Sequence, residues 1–336
     1  MQAIVFKALK QPMQLHTLPM PVPRADEVLI EVCRCGICGS DLHMTQEPAF
    51  GLAPGSVLGH EYSGRVVECG DQAQGVRVGD HVAVAPLRGC GHCPECQRGR
   101  PAWCAGFSLQ GGGFAQWATA RWHQCVVLPA SVGVADSALA EPLAVALHGV
   151  MRAHLRPGAK VLVLGAGAIG LAVAFWARRL GAAKVAVTDL GDWQRERALQ
   201  LGASALLVDD GSLHRRIPEQ LGGPPDIVFE CVGRPGLIAQ TLEHVRPRGT
   251  VVVLGLCTVA DSFVPFRAVS KEVNLVTSAF FERDEFRAAV DVLEGPGAAP
   301  LALVSSTVSL AQLPQAFDAL RQRTHHCKVL VAPHQP

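Results

Sequence analysis

The sequence lacks an excess of charge of either sign. Its 336 residues carry 30 Lys and Arg against 29 Asp and Glu, which gives a formal net charge of +1. Proteins that bind nucleic acid or anionic membranes usually show a basic excess, so the balance argues against both kinds of partner. At about 150 residues per domain the length predicts two domains. A hydrophobic content of 49% indicates a folded chain rather than a disordered one.

A long hydrophobic run and a leader pattern are also missing. The most apolar stretch, 161–176, is interrupted by small Gly and Ala residues. It falls short of the roughly 20 continuous apolar residues that a membrane span needs. The first residues, MQAIVFKALKQP, show no basic region followed by an apolar core and a cleavage site. We therefore expect a cytoplasmic protein with no membrane partner.

Cysteine, by contrast, is frequent and clustered. Four of the twelve cysteines have the spacing C-x2-C-x2-C-x7-C; they are Cys90, Cys93, Cys96 and Cys104. In a reducing compartment such a cluster indicates metal binding rather than disulfides. Four thiolates predict a closed, structural zinc site. An iron–sulfur cluster also uses four thiolates, but the last gap does not fit a ferredoxin pattern.

The order of the predicted elements divides the chain. Short strands with Gly- and Pro-rich turns, among them 27–32, 62–68 and 80–85, indicate a barrel-like β domain in the first part of the sequence. From about residue 140, strands alternate with helices. That alternation is typical of a doubly wound parallel sheet, so the class is α/β.

A glycine-rich turn follows the first strand of the second region. The segment 161–170 reads VLVLGAGAIG and places Gly165, Gly167 and Gly170 in the G-x-G-x-x-G spacing. These glycines allow a sharp turn, a close approach of backbone to a pyrophosphate, and tight packing of helix on strand. The motif lies between a predicted strand and a predicted helix, which is the context that a dinucleotide site requires.

Asp189 ends the next predicted strand, about 20 residues further on, where an acid accepts hydrogen bonds from the adenosine ribose. A carboxylate at this position repels a 2′-phosphate, which favours NAD over NADP. Arg195 and Arg197 follow closely and leave the preference for NAD open to exceptions.

A second set of metal-binding residue types is scattered along the chain. Cys38, His60, Glu61 and Glu141 offer a thiolate, an imidazole and two carboxylates, the donor types of a catalytic zinc. Spacing alone does not unite residues so far apart. Taken singly, Cys38 and His60 are more often a buried thiol and a hydrogen-bonded core histidine.

Three motifs together carry a resemblance to a known family. GHE at 59–61, the four-cysteine loop and GAGAIG at 165–170 closely resemble the zinc-dependent medium-chain dehydrogenase/reductase family, on its sorbitol and butanediol dehydrogenase branch. The motifs occur in the family's order and span nearly the whole chain. The resemblance implies a GroES-like β-barrel catalytic domain (1–143 and 285–336) and a Rossmann domain (144–284), with the active site in the cleft between them.

The resemblance also implies roles for individual residues. Cys38 and His60 match the ligands of the catalytic zinc, and Glu61 matches an acid that enters the coordination sphere or holds the zinc-bound water. Glu141 matches the fourth ligand of the polyol branch, and whether both acids coordinate at once is left open. Asp41 matches the residue that orients the ligand histidine, a role with a general physical basis.

For the chemistry, the resemblance implies an alcohol dehydrogenase that holds two zinc ions per subunit and transfers a hydride to NAD. Ser40 matches the hydroxyl that contacts the substrate alcohol, and His43 matches the residue that passes its proton to solvent. Contacts to the cofactor are expected from the following residues: Gly165, Gly167, Ala168, Ile169, Gly170, Asp189, Val232, Leu254, Gly255, Leu256 and Phe280.

The substrate is encoded less clearly. By analogy with the family, the pocket uses Ser40, the 47–54 segment, Phe107, Leu256 and Phe280, which are largely apolar. Such a lining favours a hydrophobic secondary alcohol or a diol over a sugar, whereas Glu141 favours a polyol or butanediol type. A silent dinucleotide-binding redox sensor is the alternative from another class, and the intact ligand and relay residues argue against it. A homodimer or homotetramer is expected from the family.

Overall fold

The computed structural model describes residues 1–295, 297–322 and 325–335. The chain divides into two compact units, which we call unit 1 (Met1–Glu141 with Glu282–Pro336) and unit 2 (Pro142–Phe281). The sequence predicts the junctions at 143/144 and 284/285. Within the described residues, no helix has the length and apolar character required to cross a membrane.

The strands are short and follow one another closely in both units. In chain order they are Gln2–Val5 (β1), Gln14–Thr17 (β2), Glu27–Gly36 (β3), Glu61–Cys69 (β4), His81–Val84 (β5), Leu87–Arg88 (β6), Ser108–Leu109 (β7), Trp117–Arg121 (β8), Cys125–Val127 (β9), Lys160–Leu164 (β10), Lys184–Asp189 (β11), Ala205–Val208 (β12), Ile227–Glu230 (β13), Thr250–Val253 (β14), Asn274–Thr277 (β15), Val304–Ser309 (β16) and Lys328–Ala332 (β17).

Helices are concentrated in unit 2. In chain order they are Gly39–Met44 (α1), Pro94–Gln97 (α2), Ala140–Arg152 (α3), Ala168–Arg179 (α4), Arg195–Gln200 (α5), Leu213–Leu221 (α6), Leu237–His244 (α7), Pro265–Val269 (α8), Arg283–Asp291 (α9) and Leu313–Arg321 (α10).

Unit 1 is built on a seven-stranded sheet in the order β16-β17-β3-β4-β5-β9, with β8 also paired to β3. The long strand β3 pairs antiparallel with β4, β8 and β17, so it joins the beginning of the unit to the end of the chain. Its core gathers Tyr62, Phe114, Ile30 and Val331, each almost fully buried. This arrangement agrees with the expected GroES-like β domain and places β3 between β4 and β17, the strand that follows the last helix.

Unit 2 carries a six-stranded sheet in the order β12-β11-β10-β13-β14-β15. All five pairings are parallel, and the first strand along the chain is central. In such a doubly wound sheet, ligands bind outside the carboxyl ends of the strands where the order reverses. That point is the end of β10, where the glycine-rich turn lies, so the expected Rossmann domain is confirmed.

Element boundaries differ slightly from those predicted. The strand predicted for 80–85 is limited to His81–Val84. Helix α9 begins at Arg283, because the Glu285 carboxylate accepts a hydrogen bond from the Glu282 backbone N–H at 2.6 Å and caps the helix there. Capping of this kind depends on side-chain geometry that hydrophobic periodicity does not report.

Candidate metal centres and cofactor site

Cys38 is fixed at the start of α1. It occupies the N-cap position, and its backbone N–H donates to Asp41 Oδ2 at 3.0 Å. The Asp41 side chain is fully buried, so the short helix holds it rigidly. The Asp41 carboxylate therefore connects the loop that carries Cys38 to His60.

His60 lies just before β4 and is 96% buried. Its Nδ1 is 3.2 Å from Asp41 Oδ1, and its Nε2 is 3.4 Å from Ser40 Oγ. Burial by itself lowers the pKa of His60, but the Asp41 carboxylate and the Cys38 side chain together raise it, so the pKa lies well above its usual value. Because Asp41 engages Nδ1, the ring presents Nε2 toward Ser40 as the ligand nitrogen.

Glu61 is completely buried and forms an ion pair with Lys328, the first residue of β17. Lys328 Nζ donates to Oε1 at 2.7 Å and to Oε2 at 2.6 Å, and also to the Ile37 carbonyl at 3.0 Å. Burial lowers the pKa of Lys328, but Glu61, with smaller contributions from Cys38 and Glu141, raises it, and the net shift is upward. Gly36 leaves the space for this carboxylate, because a Cβ there would lie 2.0 Å from Glu61 Oε2.

The structure brings three of the four expected ligands together. The donor atoms of Cys38, His60 and Glu61 all lie within 4.8 Å of one another, which suits a single Zn²⁺ with bonds of about 2.0–2.3 Å. Glu141 is outside that three-atom group, although its charge acts on His60 and Glu61. Burial raises the pKa of Glu141 to about 7.

The two residues of the expected proton relay share α1. Ser40 and His43 are three residues apart, which places them on the same side of the helix. His43 Nδ1 is 2.7 Å from Glu47 Oε1. With Nδ1 engaged by the carboxylate, Nε2 is the ring nitrogen available for exchange with another group.

The four cysteines at 90–104 also converge. Their sulfur atoms lie within 4.8 Å of one another, around the short helix α2. The backbone N–H groups of Cys93 and Gly106 donate to the sulfurs of Cys90 and Cys104, each at 3.3 Å. N–H···S bonds stabilise thiolates, so the loop suits a closed zinc site.

The thiols of this loop differ in their acidity. Hydrogen bonds from the backbone of His92 and Cys93 lower the pKa of Cys90 to about 6. Burial, together with the neighbouring thiols, raises the pKa of Cys96 to about 12. Four sulfurs so close together cannot all carry charge without a cation, because like charges repel. The donor set therefore fits a divalent metal.

The glycine-rich turn in unit 2 has the geometry of a cofactor cradle. Gly165 adopts the left-handed conformation at φ 99°. A Cβ on Gly170 would lie 1.9 Å from the Gly165 carbonyl, so the helix packs on the turn only through glycine. A Cβ on Gly167 would meet nothing within 4 Å, which leaves its backbone open to a ligand. Ala168 and Ile169 then begin α4, whose N-terminus favours phosphate.

Asp189 lies beside that turn. Its Oδ2 accepts from the Ala166 backbone N–H at 2.8 Å, and its Oδ1 accepts from Leu190 at 2.7 Å. The two nearby arginines bind protein groups, since Arg195 donates to the Leu206 carbonyl and Arg197 donates to the Gln194 side chain, both at 3.0 Å. The carboxylate is therefore held at the position where the second strand meets the glycine turn.

The other expected cofactor residues of unit 2 follow the neighbouring strands. The buried carboxylate of Glu230 accepts from the backbone N–H groups of Val232 at 2.7 Å and Gly233 at 2.9 Å. Gly255 packs against this loop, because a Cβ there would lie 2.1 Å from the Gly233 nitrogen. The remaining expected residues are Leu254, Leu256 and Phe280. The side chain of Leu254 packs against Gly149, that of Leu256 is 41% exposed, and the backbone of Phe280 has φ 61°.

Of the expected pocket residues, Ser40, the 47–54 segment and Phe107 belong to unit 1, whereas Leu256 and Phe280 belong to unit 2. Reasoning from sequence missed two contributors, Lys328 and Glu230, and it placed Glu47 in the pocket segment without its contact to His43. Lys328 and Glu230 each lie at one end of an apolar strand, a weak signal that does not identify a partner. Glu47 follows His43 by four residues, and this helical spacing could have identified it.

Two family models match the chain. The model described as alcohol dehydrogenase GroES-like domain matches residues 24–130, and the model described as zinc-binding dehydrogenase matches residues 168–295. Together they cover the two metal-donor groups in unit 1 and most of the parallel sheet in unit 2.

Known proteins resemble the chain over its full length. Sorbitol dehydrogenase of Bacillus subtilis is 30% identical over 100% of this chain and 98% of its own. Among solved structures, a zinc-binding dehydrogenase of Sinorhizobium meliloti bound to NADP is 29% identical with a TM-score of 0.87, and 2R,3R-butanediol dehydrogenase of Bacillus subtilis is 28% identical with a TM-score of 0.87. Each structural match covers 99% of both chains.

The GroES-like β domain, the parallel dinucleotide-binding sheet and two groups of zinc donors define a zinc-binding dehydrogenase. The chain belongs to the zinc-dependent medium-chain dehydrogenase/reductase family, and it is a zinc-dependent alcohol oxidoreductase that uses a nicotinamide cofactor. The family expected from the three sequence motifs is thereby confirmed.

The buried ion pair gives a stability prediction. Lys328→Met leaves the Glu61 carboxylate buried without its partner, so we expect destabilisation by about 3–5 kcal/mol. Adding Glu61→Gln should recover part of that loss, because the unpaired charge is removed. Differential scanning calorimetry of the single and double variants measures both effects. Lys184→Met, whose side chain is exposed, is the control, and equal stability of the two lysine variants would contradict the prediction.

The position of Asp189 gives a prediction on cofactor choice. Asp189→Ser removes the carboxylate that we expect to accept hydrogen bonds from ribose, and a charged hydrogen bond contributes about 1.5–3 kcal/mol. We expect the ratio of kcat/KM with NAD to kcat/KM with NADP to fall by at least about tenfold. The exposed neighbour Asp192→Ser provides the matched control. An unchanged ratio in Asp189→Ser would remove this residue from ribose recognition.

Proposed function

We propose that the enzyme oxidises the secondary carbinol of a short-chain diol, reversibly, with NAD as acceptor. The observation that carries this proposal is the group formed by Cys38, His60 and Glu61, with their donor atoms within 4.8 Å. A thiolate, an imidazole and a carboxylate leave one position of a tetrahedral ion open, as catalysis requires. Glu141, at the position of the polyol branch's fourth ligand, supports the diol class.

We assign the two metal groups different roles. Cys38, His60 and Glu61 hold the catalytic zinc, which supplies Lewis acidity that lowers the pKa of a bound hydroxyl. The loop from Cys90 to Cys104 holds a structural zinc, since four thiolates fill its coordination. Asp41 keeps His60 in the orientation that offers Nε2, and Lys328 balances the charge of Glu61 and fixes its carboxylate.

The proton leaves by a path along α1. Ser40 Oγ is 3.4 Å from His60 Nε2, so its hydroxyl is positioned beside the metal donors and accepts the substrate hydroxyl proton. His43, three residues on, passes that proton to solvent, and Glu47 keeps the His43 ring oriented through Nδ1. The nicotinamide cofactor, which the glycine-rich turn of unit 2 would hold, would supply the hydride acceptor.

The proposed substrate class rests on two observations, one on the pocket lining and one on the relatives, which favour different kinds of alcohol. The 47–54 segment and Phe107 are largely apolar, which favours a small or hydrophobic substrate over a sugar. The relatives named for sorbitol and butanediol act on compounds with adjacent hydroxyls. A short diol satisfies both observations, and an apolar secondary alcohol is the second candidate.

NAD is the proposed cofactor because Asp189 faces the glycine-rich turn, whereas Arg195 and Arg197 donate to protein groups.

We also propose a homodimer or homotetramer. Strand β15 is the edge of the sheet, and the adjacent helix α8 exposes Phe266 by 73% and Val269 by 70%. The cysteines form no disulfide within the described residues, which supports a reducing, cytoplasmic location.

The proposed function is tested by following reduced cofactor during a substrate panel. The panel holds vicinal diols, aliphatic and aromatic secondary alcohols and sugar polyols, each with NAD and with NADP. We expect the highest kcat/KM with a short vicinal diol and NAD, loss of turnover on chelation, and recovery with added zinc. A better apolar alcohol would favour the second candidate, and turnover that survives complete removal of zinc would contradict the assignment of the metal.

The proton path gives a further prediction. His43→Gln should slow alcohol oxidation by about a hundredfold at low pH, where solvent base is scarce, and less at high pH. Added imidazole should restore part of the rate. Steady-state pH profiles with and without imidazole measure both effects, with the exposed His214→Gln as control.

The same profiles test the role of Glu47. Glu47→Ala removes the acceptor for His43 Nδ1 and should reproduce part of the His43→Gln defect. Glu47→Gln retains an acceptor oxygen and should recover most of the rate. If Glu47→Ala leaves the pH profile unchanged, Glu47 does not position His43.

A further inference from the structure

Unit 2 contains a cavity of about 840 Å³ at the amino-terminal edge of its parallel sheet. Ile227, Thr250 and Asn274 line it, and these residues begin β13, β14 and β15. The glycine-rich turn follows the carboxyl end of β10, at the opposite edge of the same sheet. The cavity is therefore separate from the cofactor cradle.

The lining of this cavity, which we call the arginine cavity, is strongly basic. Its charged side chains are Arg152, Arg156, Arg246, Arg248 and Asp226, and His154 also lines it. Four guanidinium groups face one carboxylate here, although the whole chain has a net charge of only +1. A concave surface with charge of one sign concentrates ions of the opposite sign.

The guanidinium groups come from two separate segments. Arg152 and Arg156 lie at the end of α3 and in the loop before β10, and both are exposed. Arg246 and Arg248 lie between α7 and β14. Arg246 Nε is 2.5 Å from Asp226 Oδ1, whereas Arg248 Nε lies 3.4 Å from the exposed Glu272 Oε2. The charge is thus distributed over two walls.

Two of the lining residues adopt a backbone conformation that normally selects glycine. His154 has φ 49° and Arg248 has φ 56°. A residue with a side chain pays a strain cost there, of order 1 kcal/mol. Glycine adopts the left-handed conformation at comparable turns of this unit, including Gly158 and Gly222. The chain therefore has His154 and Arg248 at the cavity even though each of them strains the backbone.

We propose that the arginine cavity binds a small organic molecule that carries two phosphate groups. Guanidinium groups bind phosphate through paired, charge-assisted hydrogen bonds, and two arginine-bearing walls suit two phosphates. The volume lies within the range of about 300–1,000 Å³ typical of small-ligand sites. Because the cavity and the cofactor cradle lie at opposite edges of the sheet, the ligand binds while NADH is bound.

The test is isothermal titration calorimetry on the zinc-loaded enzyme saturated with NADH, at constant ionic strength. The probe is 2,3-bisphosphoglycerate, which has two phosphates but neither a free hydroxyl nor a ketone, so it is not a substrate. We expect saturable binding that is tighter than that of inorganic phosphate. Arg152→Gln/Arg156→Gln should weaken it by at least about tenfold. The control Arg179→Gln/Arg215→Gln removes the same charge from exposed positions outside the cavity and should retain wild-type binding.

A second variant keeps the test independent of folding defects. Arg248→Gly removes a guanidinium and relieves the left-handed strain, so it should weaken binding without lowering the thermal unfolding temperature. Absence of saturable binding to the wild type, equal weakening in the control pair, or displacement of the probe by NADH would each overturn the proposal. None of these results depends on turnover, so they do not bear on the proposed alcohol substrate.

Discussion

The buried ion pair between Glu61 and Lys328 is the constraint on which the catalytic half of the protein depends. Two charges taken out of water are costly unless they meet at close range with their other hydrogen bonds satisfied. Here the ammonium group contacts both carboxylate oxygens and the Ile37 carbonyl, one residue before the thiol Cys38. Strand β17 is thereby fixed to the metal-donor group, and its residue Lys328 balances the negative charge of Glu61.

The metal-donor group of unit 1 and the glycine-rich turn of unit 2 are held in place by different kinds of interaction. In unit 1, buried charges are arranged so that Asp41 orients His60 and Lys328 balances Glu61. In unit 2, the cofactor side relies on backbone, because glycine at 165 and 170 is required by conformation and by contact. The remaining carboxylate, Glu230, organises a neighbouring loop by accepting two backbone N–H groups. Side chains thus define the metal site, and the main chain defines the cofactor site.

Much of the architecture could be predicted because it depends on local patterns. The strand predicted before the glycine turn is present as Lys160–Leu164, since an apolar run followed directly by a glycine turn permits few alternatives. The four cysteines could also be identified as one site, because their short loop brings them together whatever surrounds it. Helix starts were less certain, as at Arg283, where a capping carboxylate sets the boundary.

The sequence by itself determined the α/β class, the position of the glycine turn and the thiolate loop, because each follows from residues close together in the chain. Only the tertiary structure decided which distant residues share a site. It joined Cys38 with His60 and Glu61, kept Glu141 outside that close group, and supplied Lys328, which is separated from Glu61 by 267 positions. The physical reason is that antiparallel pairing of β3 with both β4 and β17 sets these contacts. Side-chain patterns along one strand do not specify which strand will be its neighbour.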